Sequence, residues 1–221
     1  MAAYLALFDM DRTLMSVNTA AKYVRWRRRH GHNTTGDVLR VAYWLVKYKF
    51  GLLDAQRIAE RVMSEFRNDR EDELRTNFAE WYRIEGRRFI VSEGRATVER
   101  HRNAGAVVAI VTSATRYAAA PLAHELRIPH VLCTDLEVDN LGRFTGRLIE
   151  PMCYGKGKIE RVQCLAVELG HNIRQAYFYT DSITDAPLLE LVGHPVAVNP
   201  DPRLRRLAKA REWRIEEWRD V

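Results

Sequence analysis

Tyr4-Leu5-Ala6-Leu7-Phe8-Asp9-Met10-Asp11-Arg12-Thr13-Leu14 is the stretch on which the fold turns. The apolar run from Tyr4 to Phe8 is too short for a core helix and suits a strand buried on both faces. It stops at two carboxylates separated by one residue, so the strand delivers Asp9 and Asp11 at its carboxyl end. Burying such a strand requires parallel neighbours and helices on both sides.

The chain supplies them beyond residue 91. After Ser92-Glu93-Gly94 a helix of about ten residues leads through Asn103-Ala104-Gly105 into a second apolar run, Ala106 to Val111, which ends in Thr112-Ser113. His130 to Leu136 reads as a third strand, and Leu136 to Leu148 as a hairpin around Asp139-Asn140-Leu141-Gly142, residue types that accept positive φ. Lys158 to Leu169 is an amphipathic helix with Ile159, Val162, Leu165, Ala166 and Leu169 on one stripe. Ala176 to Tyr179 and Pro195 to Val198 make the fourth and fifth strands, and Pro202 to Glu212 a basic terminal helix. The alternation predicts an α/β fold: a doubly wound, mostly parallel sheet, with sites beyond the carboxyl ends of its strands.

Between the first two strands the pattern is helical and rich in aromatic residues: Tyr23, Trp26, Tyr43, Trp44, Tyr48, Phe66, Phe78, Trp81 and Tyr82. Turn chemistry at 31–36 and 49–54, where Asp54 suits a helix cap, divides the segment into roughly three to five helices. We therefore expect residues 1–16 and 91–221 to form the α/β core and 17–90 an all-helical cap inserted after the first strand. Packing between cap helices accounts for Tyr43, Trp44 and Tyr48; a wall on which substrate stacks is the sharper alternative.

With 221 residues and 47% hydrophobic content the chain can bury one substantial core with a smaller module against it. The net charge of +6, with Arg25, Arg27, Arg28 and Arg29 clustered around Trp26, favours anionic partners. No zinc-finger spacing, RNA-binding aromatic signature or basic tail accompanies that charge, so a small phosphorylated molecule is expected before nucleic acid. No apolar run approaches the ~20 residues of a membrane-spanning helix. The amino terminus lacks the basic region of a secretory signal, and a cytoplasmic location is expected. Cys133, Cys153 and Cys164 show no disulfide or metal spacing and are expected to be reduced thiols, and the histidines to be structural or exposed. Nothing in the pattern speaks to oligomeric state.

Chemistry concentrates where the strands end. Carboxylates spaced like Asp9 and Asp11 can share a metal, and one can attack phosphorus while the other donates and accepts protons. Thr112 and the amide after it can hold phosphate oxygens, and Lys158, in Gly155-Lys156-Gly157-Lys158, can place an ammonium against phosphate. Asp181 and Asp185, after the fourth strand, add a hard oxygen ligand and a supporting carboxylate, a set that suits magnesium. Taken singly, these are a turn, a helix cap and a solvated lysine. Their common address at successive strand ends is what joins them.

This constellation resembles the haloacid dehalogenase superfamily, in its phosphoserine phosphatase-like branch. Asp9 and Asp11 match the first motif, Thr112 the second, Lys158 the third, and Asp181 with Asp185 the fourth; the helical segment falls where that branch carries its cap. Lys158 precedes Asp181 by 23 positions, the spacing of that branch, whereas Lys156 is two residues out of register. The resemblance implies a Rossmann-like core and a magnesium-dependent phosphatase acting on a small phosphomonoester through an aspartyl-phosphate. By it, Asp9 is nucleophile and metal ligand. Asp11 is the acid/base and gives Mg2+ its backbone carbonyl. Asp181 completes the metal shell, and Asp185 holds a metal-bound water or orients Lys158. Thr112, the Ser113 amide and Lys158 bind the phosphoryl group. Residues 193–200 look like the family's last strand and loop.

Two positions depart from that pattern. Thr180 stands where many relatives have glycine. Asn18 occupies the place, nine residues after the nucleophile, where similar phosphoserine phosphatases pair a glutamate with the substrate ammonium; a neutral amide supplies no such ion pair. As a candidate substrate-binding residue, Asn18 moves expectation from phosphoserine, unless Glu60, Glu65 or Asp69 substitutes, toward other phosphorylated amines or alcohols such as histidinol phosphate. The alternatives are a phosphotransferase using the same intermediate and, from another class, a basic nucleic-acid- or lipid-binding protein on a hydrolase scaffold.

Overall fold

Strand β1 (Leu5–Phe8) lies at the centre of the sheet, and all four of its residues are 0% exposed. The computed structural model describes residues 4–30, 64 and 66–218. The other strands are β2 (Val107–Thr115), β3 (His130–Val138), β4 (Phe144–Ile149), β5 (Tyr177–Thr180), β6 (His194–Val198) and β7 (Arg214–Glu216), in the order β4-β3-β2-β1-β5-β6-β7. Every neighbouring pair is parallel except β3 and β4, the expected hairpin. The chain winds one way from β1 through β2 and β3 and the other way through β5 and β6. The end of β1 is thus the switch point at which such sheets open a crevice.

Side-chain alternation divides the core. Ala6, Phe8, Val108, Ile110, Tyr179 and Val196 face α3 (Ser92–Asn103) and α4 (Arg116–Leu126). Leu5, Leu7, Ala109, Val111, Phe178 and Ala197 face α5 (Lys156–Glu168), α6 (Ala186–Leu189) and α7 (Pro202–Ala210). The period of two within each strand thus produces the two covered faces of a doubly wound sheet.

The first of these clusters continues into α1 (Thr19–Arg29) and α2 (Glu71–Ile84), where Tyr23 stacks on Phe78 with ring centroids 3.7 Å apart and Trp26 and Trp81 are buried. Arg25, Arg28 and Arg29 face solvent around Trp26, the solvated side of an amphipathic helix. The expected turns at 31–36 and 49–54, His32, Tyr43, Trp44, Tyr48, Glu60 and Glu65 lie outside the described residues. The entry to α2 is stitched to the β3–β4 hairpin by main-chain hydrogen bonds: Asn68 N to Phe144 O (2.9 Å), Phe144 N to Asp69 O (3.0 Å) and Glu71 N to Gly142 O (2.9 Å).

Three features depart from the sequence reading. Strand β2 runs to Thr115, with its pairing to β3 shifting between Val111 and Thr115. The helix expected after Gly94 begins at Ser92. Strand β7 was not expected, because Arg-Ile-Glu is too short for a periodic signal. It leads to Trp218, which is buried near Tyr179 and beside Gly94, and whose main chain is held by Asn199 through a pair of hydrogen bonds (2.8 and 2.9 Å). Among the described residues, no helix is long and apolar enough to cross a membrane.

Helix α5 enters the sheet face through a close approach at Gly157, where an added Cβ would lie 1.9 Å from the Met152 carbonyl oxygen. The obstacle is backbone, so relief requires moving the loop ahead of α5. Gly157→Ala is expected to cost about 2–4 kcal/mol, the range of severe packing defects, measured as a lowered urea midpoint with unchanged slope.

Candidate active site

Three strand ends and one helix start converge at the switch point. The register pairs Phe8 with Ile110 on one side and with Tyr179 on the other. Asp9 and Asp181 therefore leave the sheet at adjacent strand ends, Thr112 follows in β2 beside them, and Asp9 N donates to Tyr179 O at 2.9 Å. Lys158 comes from the first turn of α5. Its ammonium is buried between two carboxylates, donating to Asp9 Oδ1 and Asp185 Oδ2, each at 2.8 Å. Lys156, two residues earlier, is exposed.

Each group has a local cause. Asp185 is fixed by Thr180, whose hydroxyl donates to Oδ2 at 2.7 Å and accepts from Ser182 N at 3.3 Å. The loop carrying Asp181 is held by Asp201 N donating to Asp181 O (2.9 Å) and Ile183 N donating to Asp201 Oδ2 (2.8 Å), while Asp201 Oδ1 caps α7. Thr112 is buried and its hydroxyl accepts from Ala114 N at 3.1 Å; Ser113 beside it is exposed. Because β2 continues past these residues, Thr112 and Ser113 sit on an extended strand end, and helix α4 starts only at Arg116.

Asp11 accepts from Thr19 N at 3.1 Å, Thr19 Oγ1 at 2.7 Å and Asn18 Nδ2 at 2.9 Å. Asn18 also caps α1 by accepting from Ala21 N at 2.9 Å. The amide that the sequence placed among candidate substrate contacts is thus engaged with Asp11 and the helix end. Beside these groups a cavity of about 360 Å³ is lined by Arg12, Ser16, Val91, Asp181, Asn199 and Trp218, among others. Arg12 holds a left-handed φ of 61° next to Asp11.

The electrostatics are dominated by burial. Asp181 is pushed up to about 8, first by burial and then by the charge of Asp9, against the pull of Arg12. Asp11 rises to about 6, because burial outweighs the hydrogen bonds from Thr19. Asp9 is raised too, by burial working against the Lys158 ammonium. Burial acts to lower Lys158, but Asp185 and Asp9 outweigh it and keep the amine protonated. Lys158 thus neutralises Asp9 and Asp185 directly, while Asp11 and Asp181 make no ion pair with it. In addition, Asp185 Oδ1 is buried without a hydrogen-bond partner among the described residues.

That donor set fits a hard divalent cation. No group of three or more His, Cys, Asp or Glu is arranged as a closed metal cluster among the described residues. Magnesium, however, takes one or two carboxylates and keeps several waters. Asp9 and Asp181, close enough for the charge of one to raise the other, could supply such a partial shell, and an ordered water would satisfy Asp185 Oδ1.

Sequence reasoning missed two supports, Thr19 and Thr180. Thr180 was noted only as a departure from glycine, although a hydroxyl at the last position of a buried strand demands a partner. Thr19 carried no signal beyond a place next to a helix cap. Elsewhere, His101 is buried between the Tyr4 and Tyr179 hydroxyls (2.9 and 2.8 Å), and the three cysteines are free, with Cys133 and Cys153 buried and pushed up to about 12, chiefly by burial.

A family model described as haloacid dehalogenase-like hydrolase matches residues 6–190. A phosphoserine phosphatase of Mycobacterium tuberculosis is 33% identical over 97% of this chain and 70% of its own length. A histidinol-phosphatase of Neisseria meningitidis is 29% identical over 96% of this chain and 97% of its own length. A solved structure of a Bordetella pertussis protein of unknown function superposes with a TM-score of 0.89 at 31% identity, covering 98% of this chain and 99% of that one.

Removing the buried cation should be costly. Lys158→Ala leaves Asp9 and Asp185 buried without their counter-ion, an expected loss of about 3–5 kcal/mol near neutral pH. The site carboxylates with resolved shifts are raised in the fold, so their buried charge is absent below pH 4 and is imposed as pH climbs through 6 to 8. The deficit, measured by chemical unfolding, should therefore grow from pH 5 to pH 8.

Proposed function

The chain belongs to the haloacid dehalogenase-like hydrolase family, and from that premise we propose that it is a cytoplasmic phosphatase hydrolysing a small phosphomonoester through an aspartyl-phosphate on Asp9. The observation that carries the proposal is the asymmetric hold on Asp9: Lys158 pins Oδ1, and Oδ2 makes no hydrogen bond among the described residues. One oxygen is anchored and the other is left to attack.

In the first half, Asp9 Oδ2 bonds to phosphorus as the bond from phosphorus to the leaving oxygen breaks, and that oxygen takes a proton from Asp11. In the second, a water oxygen bonds to phosphorus, Asp11 takes the water's proton, and the bond to Asp9 breaks to release inorganic phosphate. Thr112, the Ser113 amide and Lys158 hold the phosphoryl oxygens. Asp9, the Asp11 backbone carbonyl and Asp181 would hold Mg2+, with Asp185 contacting it through water. The ion, when bound, offsets the repulsion between carboxylate and phosphate. Helices α1 and α2, the described parts of the helical segment, would help to shield the reacting groups from bulk water.

The relatives' names favour a phosphorylated amino acid or amino alcohol as the substrate class. Asn18 is engaged with Asp11, so a contact to a substrate ammonium falls to another group; of the carboxylates weighed for it, Asp69 is described and is exposed. The buried carboxylate and ammonium cluster supports catalysis over a basic binding scaffold, because a surface that only binds polyanions gains nothing from acids buried beneath it.

Asp9→Asn is expected to lower magnesium-dependent phosphate release from 4-nitrophenyl phosphate by roughly a thousandfold or more; turnover surviving at the wild-type rate overturns the reading. Phosphoserine and histidinol phosphate compared in the same assay should show which leaving group the wild-type enzyme accepts. Because Mg2+ binds the ionised carboxylates, its stabilising effect, measured as a shift in Tm, should be larger at pH 8 than at pH 5.5.

A further inference from the structure

Asp11 is gripped on both oxygens by the first turn of α1. Oδ1 accepts from Thr19 N and Thr19 Oγ1, and Oδ2 from Asn18 Nδ2. A carboxylate offers about four lone-pair directions. Three are occupied, and the one left open lies on Oδ2. The orientation of the Asn18 amide is itself determined. Its Oδ1 accepts from Ala21 N, and flipping it would set an oxygen against the carboxylate and an NH2 against an N–H.

We infer that Asn18 and Thr19 are positioning residues for proton transfer at Asp11, and that Oδ2 is the atom through which the proton passes. The inference rests on the aspartyl-phosphate reading above. Proton transfer falls off steeply when donor and acceptor leave hydrogen-bond reach, and a carboxylate on a single free side-chain torsion would sweep both oxygens through an arc. Donors on both sides of the group restrict it to one direction. In the first half-reaction the proton leaves Oδ2 for the leaving-group oxygen as phosphorus passes to Asp9. In the second, Oδ2 receives the proton of water as the bond from phosphorus to Asp9 breaks. The reacting carboxyl is thus aimed by the start of α1.

A substrate whose leaving group departs without protonation separates the two halves. With 4-nitrophenyl phosphate, formation of the phosphoenzyme needs no proton from Asp11, whereas its breakdown needs Asp11 as base. Labelled phosphoenzyme formed from that substrate and chased with unlabelled substrate reports the breakdown rate directly. In Thr19→Val the breakdown rate should fall roughly tenfold with the formation rate unchanged, the size of effect expected for a displaced catalytic group. Thr19→Ser, which keeps the hydroxyl, should restore the wild-type rate. Asn18→Asp keeps a good helix cap but turns a carboxylate toward Oδ2, and should slow breakdown in the same way. A structural role predicts the opposite pattern: less phosphoenzyme formed, decaying at the wild-type rate. That pattern, or unchanged breakdown in Thr19→Val and Asn18→Asp, overturns the inference. Asp9→Asn run alongside keeps the two readings apart, since turnover surviving there removes the aspartyl-phosphate itself whatever Thr19 does.

Discussion

A buried ammonium holding two carboxylates together is the constraint around which the site is organised. Lys158 binds Asp9, from the end of β1, to Asp185, from the loop after β5, and it arrives on a helix that crosses the opposite face of the sheet. In water such a pair contributes little; once the pair is buried, removing the cation leaves uncompensated charge at a heavy cost. The grip works because everything around it is already rigid: β1 is wholly enclosed, Gly157 lets α5 approach the backbone, and Thr180 fixes the far carboxylate. Rigid surroundings turn a flexible lysine into a gauge that sets where the nucleophile sits.

The same cluster carries more negative charge than it can neutralise alone. Among the described residues Lys158 pairs with Asp9 and Asp185, while Asp11 and Asp181 lie close by without an ion pair to it, and the excess appears as raised carboxyls on those two and as an unpartnered oxygen on Asp185. A site left in this condition is costly to the fold and useful to chemistry, because a cation or a proton arriving there is bound strongly. The protein gives up stability at the point where it concentrates electrostatic work.

Most of the sheet was legible because β1, β2, β3, β5 and β6 are apolar runs bounded by turn residues, and the motif residues fell where those runs ended. Spacing singled out Lys158 over Lys156; in the structure Lys158 is buried and Lys156 exposed. What escaped was local. Arg214 to Glu216 is a strand because β6 offers it an edge, which no propensity reveals. The role of Asn18 was invisible for a related reason. Its position matched a substrate-binding glutamate elsewhere, but its hydrogen bonds depend on where Asp11 points, and that is decided by the turn between them. Thr19 became meaningful only when the helix start was placed against the acid.

The seam between the helical segment and the core has a further consequence. Where the chain enters α2 it is joined to the β3–β4 hairpin through main-chain N–H and C=O groups. Main-chain atoms are the same in every residue except proline, so this junction is nearly blind to the side chains around it. The joint therefore goes on holding whatever side chains the entry to α2 carries, and the hairpin acts as a generic socket for the chain that plugs into it.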